Sequence, residues 1–224
     1  MSDRTSRFSA LFAVDKIEQA SVHIIGCGSV GGALGHLLAR SGVGSITLWD
    51  PDTVAIENLG VQPFRHCDLG RPKAEALAEA LRTYSSAEDP TAPIIQGITS
   101  RFSVQHASCS PGVIFSCVDN MVSRSTLFKQ AVVWGSHPFF DARVAGFTVE
   151  VYHWVPGADA DAYRKTLFPD EEMLQMPCGT KMTPHAPQVA ASFLYHYFAS
   201  YVSGRPLPRF GVSLDLGMLN FVDS

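Results

Sequence analysis

The sequence predicts an α/β fold: a doubly wound, mostly parallel Rossmann-like sheet with an antiparallel extension and a C-terminal helix. Three observations predict it. Short apolar runs alternate with helix-like stretches through the first two-thirds of the chain, the pattern of parallel strands joined by crossover helices. The run 22–25 ends in Gly26-x-Gly28-x-x-Gly31, and Val30, Leu34, Leu37 and Leu38 then recur at helical spacing. A second run, 45–49, ends at Asp50, about twenty residues past the glycines, where a carboxylate commonly takes ribose hydroxyls.

The elements follow in order. Residues 1–20 begin polar and basic (Arg4, Arg7), then carry Phe8, Leu11, Phe12 and Ile17, which predicts a short docking helix ahead of the sheet. In the first strand–turn–helix unit, Gly26 makes the turn and Gly28 lets backbone N–H groups approach a phosphate. Gly31 lets the helix pack closely. The helix N-terminus offers free donors and partial positive charge. Residues 50–72 lack periodicity, and so long a loop is either functional or disordered; its acids, amides and aromatics favour function. Pro72 suits a helix start, with Leu77 and Leu81 following at helical spacing.

A third strand is predicted over 94–98 and a fourth over 113–118, the latter a continuous apolar run covered on both faces and ending in Asp119-Asn120. A helix over about 122–134 and a hairpin-like pair of strands around Ala145-Gly146 come next. Residues 156–184 read as irregular, 185–202 as an apolar, aromatic helix, and the tail as holding one strand near 210–216.

Composition narrows the function. The chain has 224 residues, 46% of them hydrophobic, which suits a globular α/β protein. A formal net charge of −4 argues against a nucleic-acid surface. With no signal-like stretch and no membrane-length apolar run, a cytoplasmic protein is expected. Five cysteines without C-x-x-C spacing speak against a disulfide framework or a Cys₄ zinc site.

In a doubly wound sheet the ligand lies beyond the C-terminal strand ends, so Gly26, Asp50 and Asp119 should converge on one crevice. Asp52 and Asp119 are hard oxygen ligands suited to Mg²⁺. Lys73 and Arg65 can neutralise phosphate charge. That set fits a nucleoside triphosphate with metal better than NAD. There is no Gly-Lys-Ser/Thr, so the loop is not a P-loop.

These residues resemble the ThiF/MoeB and ubiquitin-activating-enzyme superfamily, over roughly residues 5–155. The resemblance rests on Gly-Cys-Gly-Ser-Val-Gly-Gly at 26–32 and the stretch Ser-Gly-Val-Gly-Ser-Ile-Thr-Leu-Trp-Asp-Pro-Asp-Thr-Val at 41–54. It continues with Asn58-Leu59, Gln62, Asp68-Leu-Gly-Arg-Pro-Lys73, and Cys117-Val-Asp119-Asn120 with Arg124. The resemblance implies a homodimeric ATP- and Mg²⁺-dependent adenylyltransferase. It would activate the C-terminal glycine carboxylate of a ubiquitin-like or sulfur-carrier protein. One adenylation domain over 1–224 is expected: docking helix 1–20, nucleotide-binding core 21–155, and crossover loop, helix and tail 156–224.

By the same resemblance Asp50 holds the ribose, Asn58 and Lys73 the phosphates, and Asp119 the metal. Gln62, Asn120 and Arg124 support the site. The N-terminal arginine that reaches a second subunit matches Arg7 or Arg4. Val61 stands where the family usually has arginine, and Arg65 is the nearby substitute. Asp68 is read as a cap for the helix near Pro72 rather than as a ligand. Cys178 is taken as the cysteine outside the strands and helices, open to two readings: a thioester-forming nucleophile before a helix, or a structural residue. Cys27 and Cys117 are expected to be buried and inert, and His185 and His196 to be structural. A noncatalytic nucleotide-binding scaffold and an adenylating enzyme for a small-molecule or RNA-linked carboxylate stay open beside the leading reading.

Overall fold

A computed structural model describes residues 5–85, 89, 92–102, 112–135, 137–169, 183–207 and 209–222. Eight strands form one sheet in the order β3-β2-β1-β4-β5-β6-β7-β8. Strands β1 (Ser21–Ile25), β2 (Ser45–Trp49), β3 (Ile94–Ile98), β4 (Val113–Ser116) and β5 (Phe139–Ala145) pair in parallel. Strands β6 (Thr148–Trp154), β7 (Gly211–Asp215) and β8 (Asn220–Val222) extend it antiparallel. The chain steps outward from β1 to β3, then returns to the other side of β1 as β4. That reversal opens a crevice beyond the C-terminal ends of β1 and β4.

Period-two alternation divides the apolar residues between two cores. Ile24, Phe115 and Phe140 face one side, together with helices α2 (Ser29–Arg40), α3 (Lys73–Arg82) and α6 (Ala186–Val202). Their neighbours Ile25, Ile114 and Phe139 face the other, with α4 (Met121–Trp134) and Tyr163 of α5 (Ala160–Arg164). The aromatic helix α6 belongs to the first core: Leu194, Tyr197 and Phe198 are fully buried. His196 is exposed at its edge, against the ring of Phe12. His185 lies at the helix start and makes no capping bond.

Three sequence expectations need correction. The docking helix is shorter than residues 1–20: α1 spans Val14–Gln19, and residues 6–12 form turns. Those turns are fastened to the end of α6, by Ala13 N–H to Ser203 Oγ at 2.9 Å and by Arg205 to the Leu11 carbonyl. The stretch read as irregular holds α5, started by Asp159, whose carboxylate accepts from the Asp161 amide. The tail holds two strands, not one. β8 is three residues long and exposed throughout, too short for a periodicity to show.

Candidate nucleotide site

The first glycine turn is built by close approach. Gly26 sits at φ +94°, and a Cβ there would stand 2.5 Å from the Cys117 carbonyl oxygen. A Cβ on Gly31 would stand 1.9 Å from the Gly26 carbonyl oxygen, so α2 crosses the turn only as glycine. Gly26 N–H donates to the Trp49 carbonyl and Cys117 N–H to the Ile25 carbonyl, which locks the ends of β1, β2 and β4 together. Gly28, the N-cap of α2, differs: a Cβ there would meet only the Gln62 side chain, at 3.7 Å. Packing explains Gly26 and Gly31 but not Gly28.

Asp50 is buried and bonds back to this turn. Its Oδ2 accepts from the Cys27 amide at 2.7 Å and its Oδ1 from the Asp52 amide at 2.8 Å. Burial pushes its carboxyl above the usual range, against the pull of those two amides and of Lys73. Each oxygen keeps a lone pair, so an edge of the carboxylate can still accept hydroxyl donors.

The loop between β2 and α3 is closed at its base. Thr53 pairs with Pro72 in an antiparallel bridge, Val54 N–H donates to the Arg71 carbonyl, and Gly70 N–H donates to the Val54 carbonyl. Lys73, buried at the start of α3, donates from Nζ to the exposed Asp52 carboxylate at 3.2 Å, and its amide to the Asp52 carbonyl. The loop then folds over α2: a Cβ on Gly32 would meet the Pro63 ring at 2.4 Å. Gln62 lies beside Gly28, and its Oε1 is buried without a hydrogen-bond partner. Such an orphaned acceptor over a phosphate-type turn suits a missing ligand donor.

Other expected site residues have partners of their own. Asn58 turns its Oδ1 to the Ala55 amide at 2.9 Å. Arg65 is exposed, and its guanidinium pairs with Asp68. Asp68 does not cap α3, whose N-cap is Pro72 without a side-chain bond. It instead accepts from the Arg65 amide, the Arg65 guanidinium and Arg71, closing the 3₁₀ turn His66–Asp68. Burial alone would raise its carboxyl, but these donors hold it below the usual range. Asn120 caps α4 through the Ser123 amide at 2.8 Å. Asp119 is exposed beyond β4, with its Oδ1 on the Asn120 amide group at 3.1 Å. Arg124 is buried and bonds to Asp141, to the Ala142 carbonyl at 2.8 Å and to the Val118 carbonyl.

The crevice therefore joins Asp50 to the Gly26–Gly28 turn through the Cys27 amide, with Gln62 beside Gly28. Lys73 is joined to them through Asp52, whose amide Asp50 holds. Asp119 stands two residues past Cys117, whose carbonyl presses on Gly26. Among the described residues no group of three or more His, Cys, Asp or Glu gathers around one point. A magnesium ion carried in on phosphates needs only one or two protein carboxylates, so Asp119 and Asp52 fit that kind of metal and not a protein cage.

Of the cysteines, Cys27 is buried and Cys117 half-buried; burial pushes both thiols up, so neither is reactive. Cys178 lies outside the described residues. Cys67, in the 3₁₀ turn, is an exposed free thiol, so Cys178 is not the lone cysteine outside the main elements. Among the described residues no helix is long and apolar enough to cross a membrane.

The chain is similar in sequence to several adenylyltransferases. The sulfur carrier protein ThiS adenylyltransferase of Escherichia coli is 30% identical over 172 residues, covering 76% of this chain and 67% of that protein. The molybdopterin-synthase adenylyltransferase of Haemophilus influenzae is 30% identical over 147 residues, covering 61% and 58%. The adenylyltransferase and sulfurtransferase MOCS3 of Sus scrofa is 32% identical over 145 residues, covering 63% and 31%. The chain thus spans from 31% to 67% of the length of these relatives. Among solved structures, E. coli MccB with ATP superposes at TM-score 0.77 and 18% identity, over 100% of this chain and 71% of that one. PaaA superposes at 0.77 and 17%, over 100% and 84%. These two likenesses speak for the fold. The ThiF family model matches residues 4–211, from the first turn to the start of β7, and the chain belongs to the ThiF family.

Proposed function

We propose that this chain is an ATP-dependent adenylyltransferase that activates the C-terminal carboxylate of a ubiquitin-like or sulfur-carrier protein. The observation that carries the proposal is the bond from the Cys27 amide to Asp50 Oδ2 at 2.7 Å. It ties the carboxylate suited to a ribose to the glycine turn suited to phosphates, at the switch point of the sheet. The named activities of the relatives point the same way.

In this reading Asp50 accepts from the ribose hydroxyls. The Gly28 turn and the α2 N-terminus face the phosphates with backbone N–H groups. Lys73 is the cation on the phosphates and exchanges its Asp52 partner for them. Asp119 holds Mg²⁺, which supplies charge neutralisation on the polyphosphate when bound. A carboxylate oxygen of the carrier attacks the α-phosphorus. The bond from that phosphorus to the oxygen bridging the β-phosphate breaks, and pyrophosphate departs with the electron pair. The acyl adenylate remains. The nucleophile is already ionised at neutral pH, so the site needs no general base.

Val61 favours a second reading, a nucleotide-binding scaffold. Arg65 is held by Asp68, Arg71 by Asp68 and Glu79, and Lys73 by Asp52, so each of these cations must leave a carboxylate to reach the phosphates. ATP–pyrophosphate exchange with Mg²⁺ separates the two. Exchange that rises with a Gly-Gly-ended carrier and is lost in Lys73→Ala and Asp119→Ala is expected. ATP binding without exchange under every carrier tried would leave the scaffold.

A further inference from the structure

Beneath the Asp119 turn lies a buried charged cluster that the nucleotide chemistry does not use. Asp141 of β5 is fully buried. Its Oδ1 accepts from Arg124, and its Oδ2 accepts from Arg143 Nε at 3.0 Å and from the Tyr163 hydroxyl at 2.9 Å. Arg124 also donates to the carbonyl of Val118, the residue before Asp119. Arg143 reaches the other way, to the Thr166 carbonyl at 2.7 Å and the Thr166 hydroxyl at 2.8 Å. Its guanidinium lies 4.6 Å from the Tyr152 ring centroid, and Glu150 stands 3.8 Å away as a weaker counter-ion.

Two guanidinium groups around one carboxylate are an expensive way to fill an interior. Apolar residues of like volume are often as stable, so stabilisation alone is a weak reason for the cluster. What the cluster has, and apolar packing lacks, is direction. Hydrogen bonds with fixed angles run without a break from Thr166, through β5, to the Val118 carbonyl. At the turn they reach, Asp119 is exposed and its carboxylate bonds to its neighbour Asn120; on either side Cys117 N–H donates to the Ile25 carbonyl and Asn120 Oδ1 accepts from the Ser123 amide.

We propose that Asp141, with Arg124, Arg143 and Tyr163 around it, is a positioning unit that sets the Asp119 turn from the placement of residues 163–166. The part played by Asp119 rests on the adenylation reading; the positioning of its turn does not. None of the four touches substrate in this view. They act through the Val118 carbonyl.

The test uses the full chain with Tyr163→Phe, which keeps the ring and removes one bond, and Asp141→Asn, which keeps the shape and removes the charge. Hydrogen exchange read by mass spectrometry should rise several-fold at 117–121 in Tyr163→Phe, and further in Asp141→Asn, in each case by a larger factor than at 45–49 of β2, which reports the global loss of stability. The dissociation constant of Mn²⁺ in the presence of ATP, read by electron paramagnetic resonance, should rise in the same order. A lower unfolding temperature in Tyr163→Phe with unchanged exchange at 117–121 would mean plain packing and overturn the proposal. Raised exchange with unchanged Mn²⁺ affinity would support the positioning and count against Asp119 as the ligand of the metal. A wild-type chain that binds no Mn²⁺ with ATP would count against the adenylation reading, and the exchange arm would still judge the positioning.

Discussion

Gly28 separates what the turn needs to fold from what it needs to bind. Gly26 and Gly31 are demanded by carbonyl oxygens 2.5 and 1.9 Å from where a Cβ would sit, whereas Gly28 faces only a flexible amide. Gly31→Ala should therefore cost about 1–3 kcal/mol or more through overpacking, and Gly28→Ala at most about 1 kcal/mol. Nucleotide affinity should respond in the opposite order to stability: Gly28→Ala loses ATP while its urea midpoint stays near that of the wild type. Calorimetric ATP titration beside urea unfolding reads both. Asp141 gives a second residue-scale expectation. Burial alone would raise its carboxyl, but Arg124 and Arg143, with hydroxyl donors, outweigh it and hold it below the usual range. The folded state then binds fewer protons than the unfolded one near the ordinary carboxylate pKa. Stability from this group is present above that pKa and is lost as pH falls through the depressed one. Asp141→Asn should cost about 3–5 kcal/mol at pH 7, and the gap to the wild type should narrow in acid unfolding series below about pH 4.

At the scale of elements, the loop from β2 to α3 shows where spacing stops informing. The residue types over 50–72 marked it as functional, and the glycines and Asp50 stood out because their spacing is itself the chemistry. Side-chain partners carry no such period. Nothing in the order of residues shows that Asn58 turns to the Ala55 amide, or that Arg65 is held by Asp68. The bridge Thr53–Pro72 pairs residues nineteen apart and orders the loop from its base. Asp68 is its inner fastening, nearly fully buried and bonded to Arg65 and Arg71. Asp68→Ala should cost about 1–3 kcal/mol, the value of leaving such bonds unmade. Arg65→Ala should weaken the loop in the same direction by less, since its guanidinium is exposed and surface pairs contribute about 0–1 kcal/mol. Urea unfolding measures both. If Arg65 serves the loop, pyrophosphate exchange in Arg65→Ala stays near that of the wild type; a large loss would return it to the phosphates.

Across the whole molecule, the legible part of the fold is the part with long-range burial. β1, β2 and β4 are apolar runs between flanking helices, and their parallel pairing follows from the strand–helix alternation. β8 and α5 were not legible because each spans fewer than two of its periods, and each is fixed by its partners: Leu214↔Phe221 in the hairpin and Tyr163 against Phe128 and Asp141. The same contrast sets an order of opening. Central strands carry fully buried side chains on both faces, such as Ile24 and Phe115 on one side and Ile114 on the other. The edges do not: Ile94 of β3 is 72% exposed and Phe221 of β8 69%. Amides that open only with the global transition exchange at its free energy, and edge amides open locally at far lower cost. Native-state hydrogen exchange should therefore find β1 and β4 slowest and β3 faster. β8 should exchange within the dead time of manual mixing, and only the first group should slow further when urea is withdrawn. Equal protection at β8 and β1 would mean that β8 is paired on its open side in solution and that the sheet continues past it.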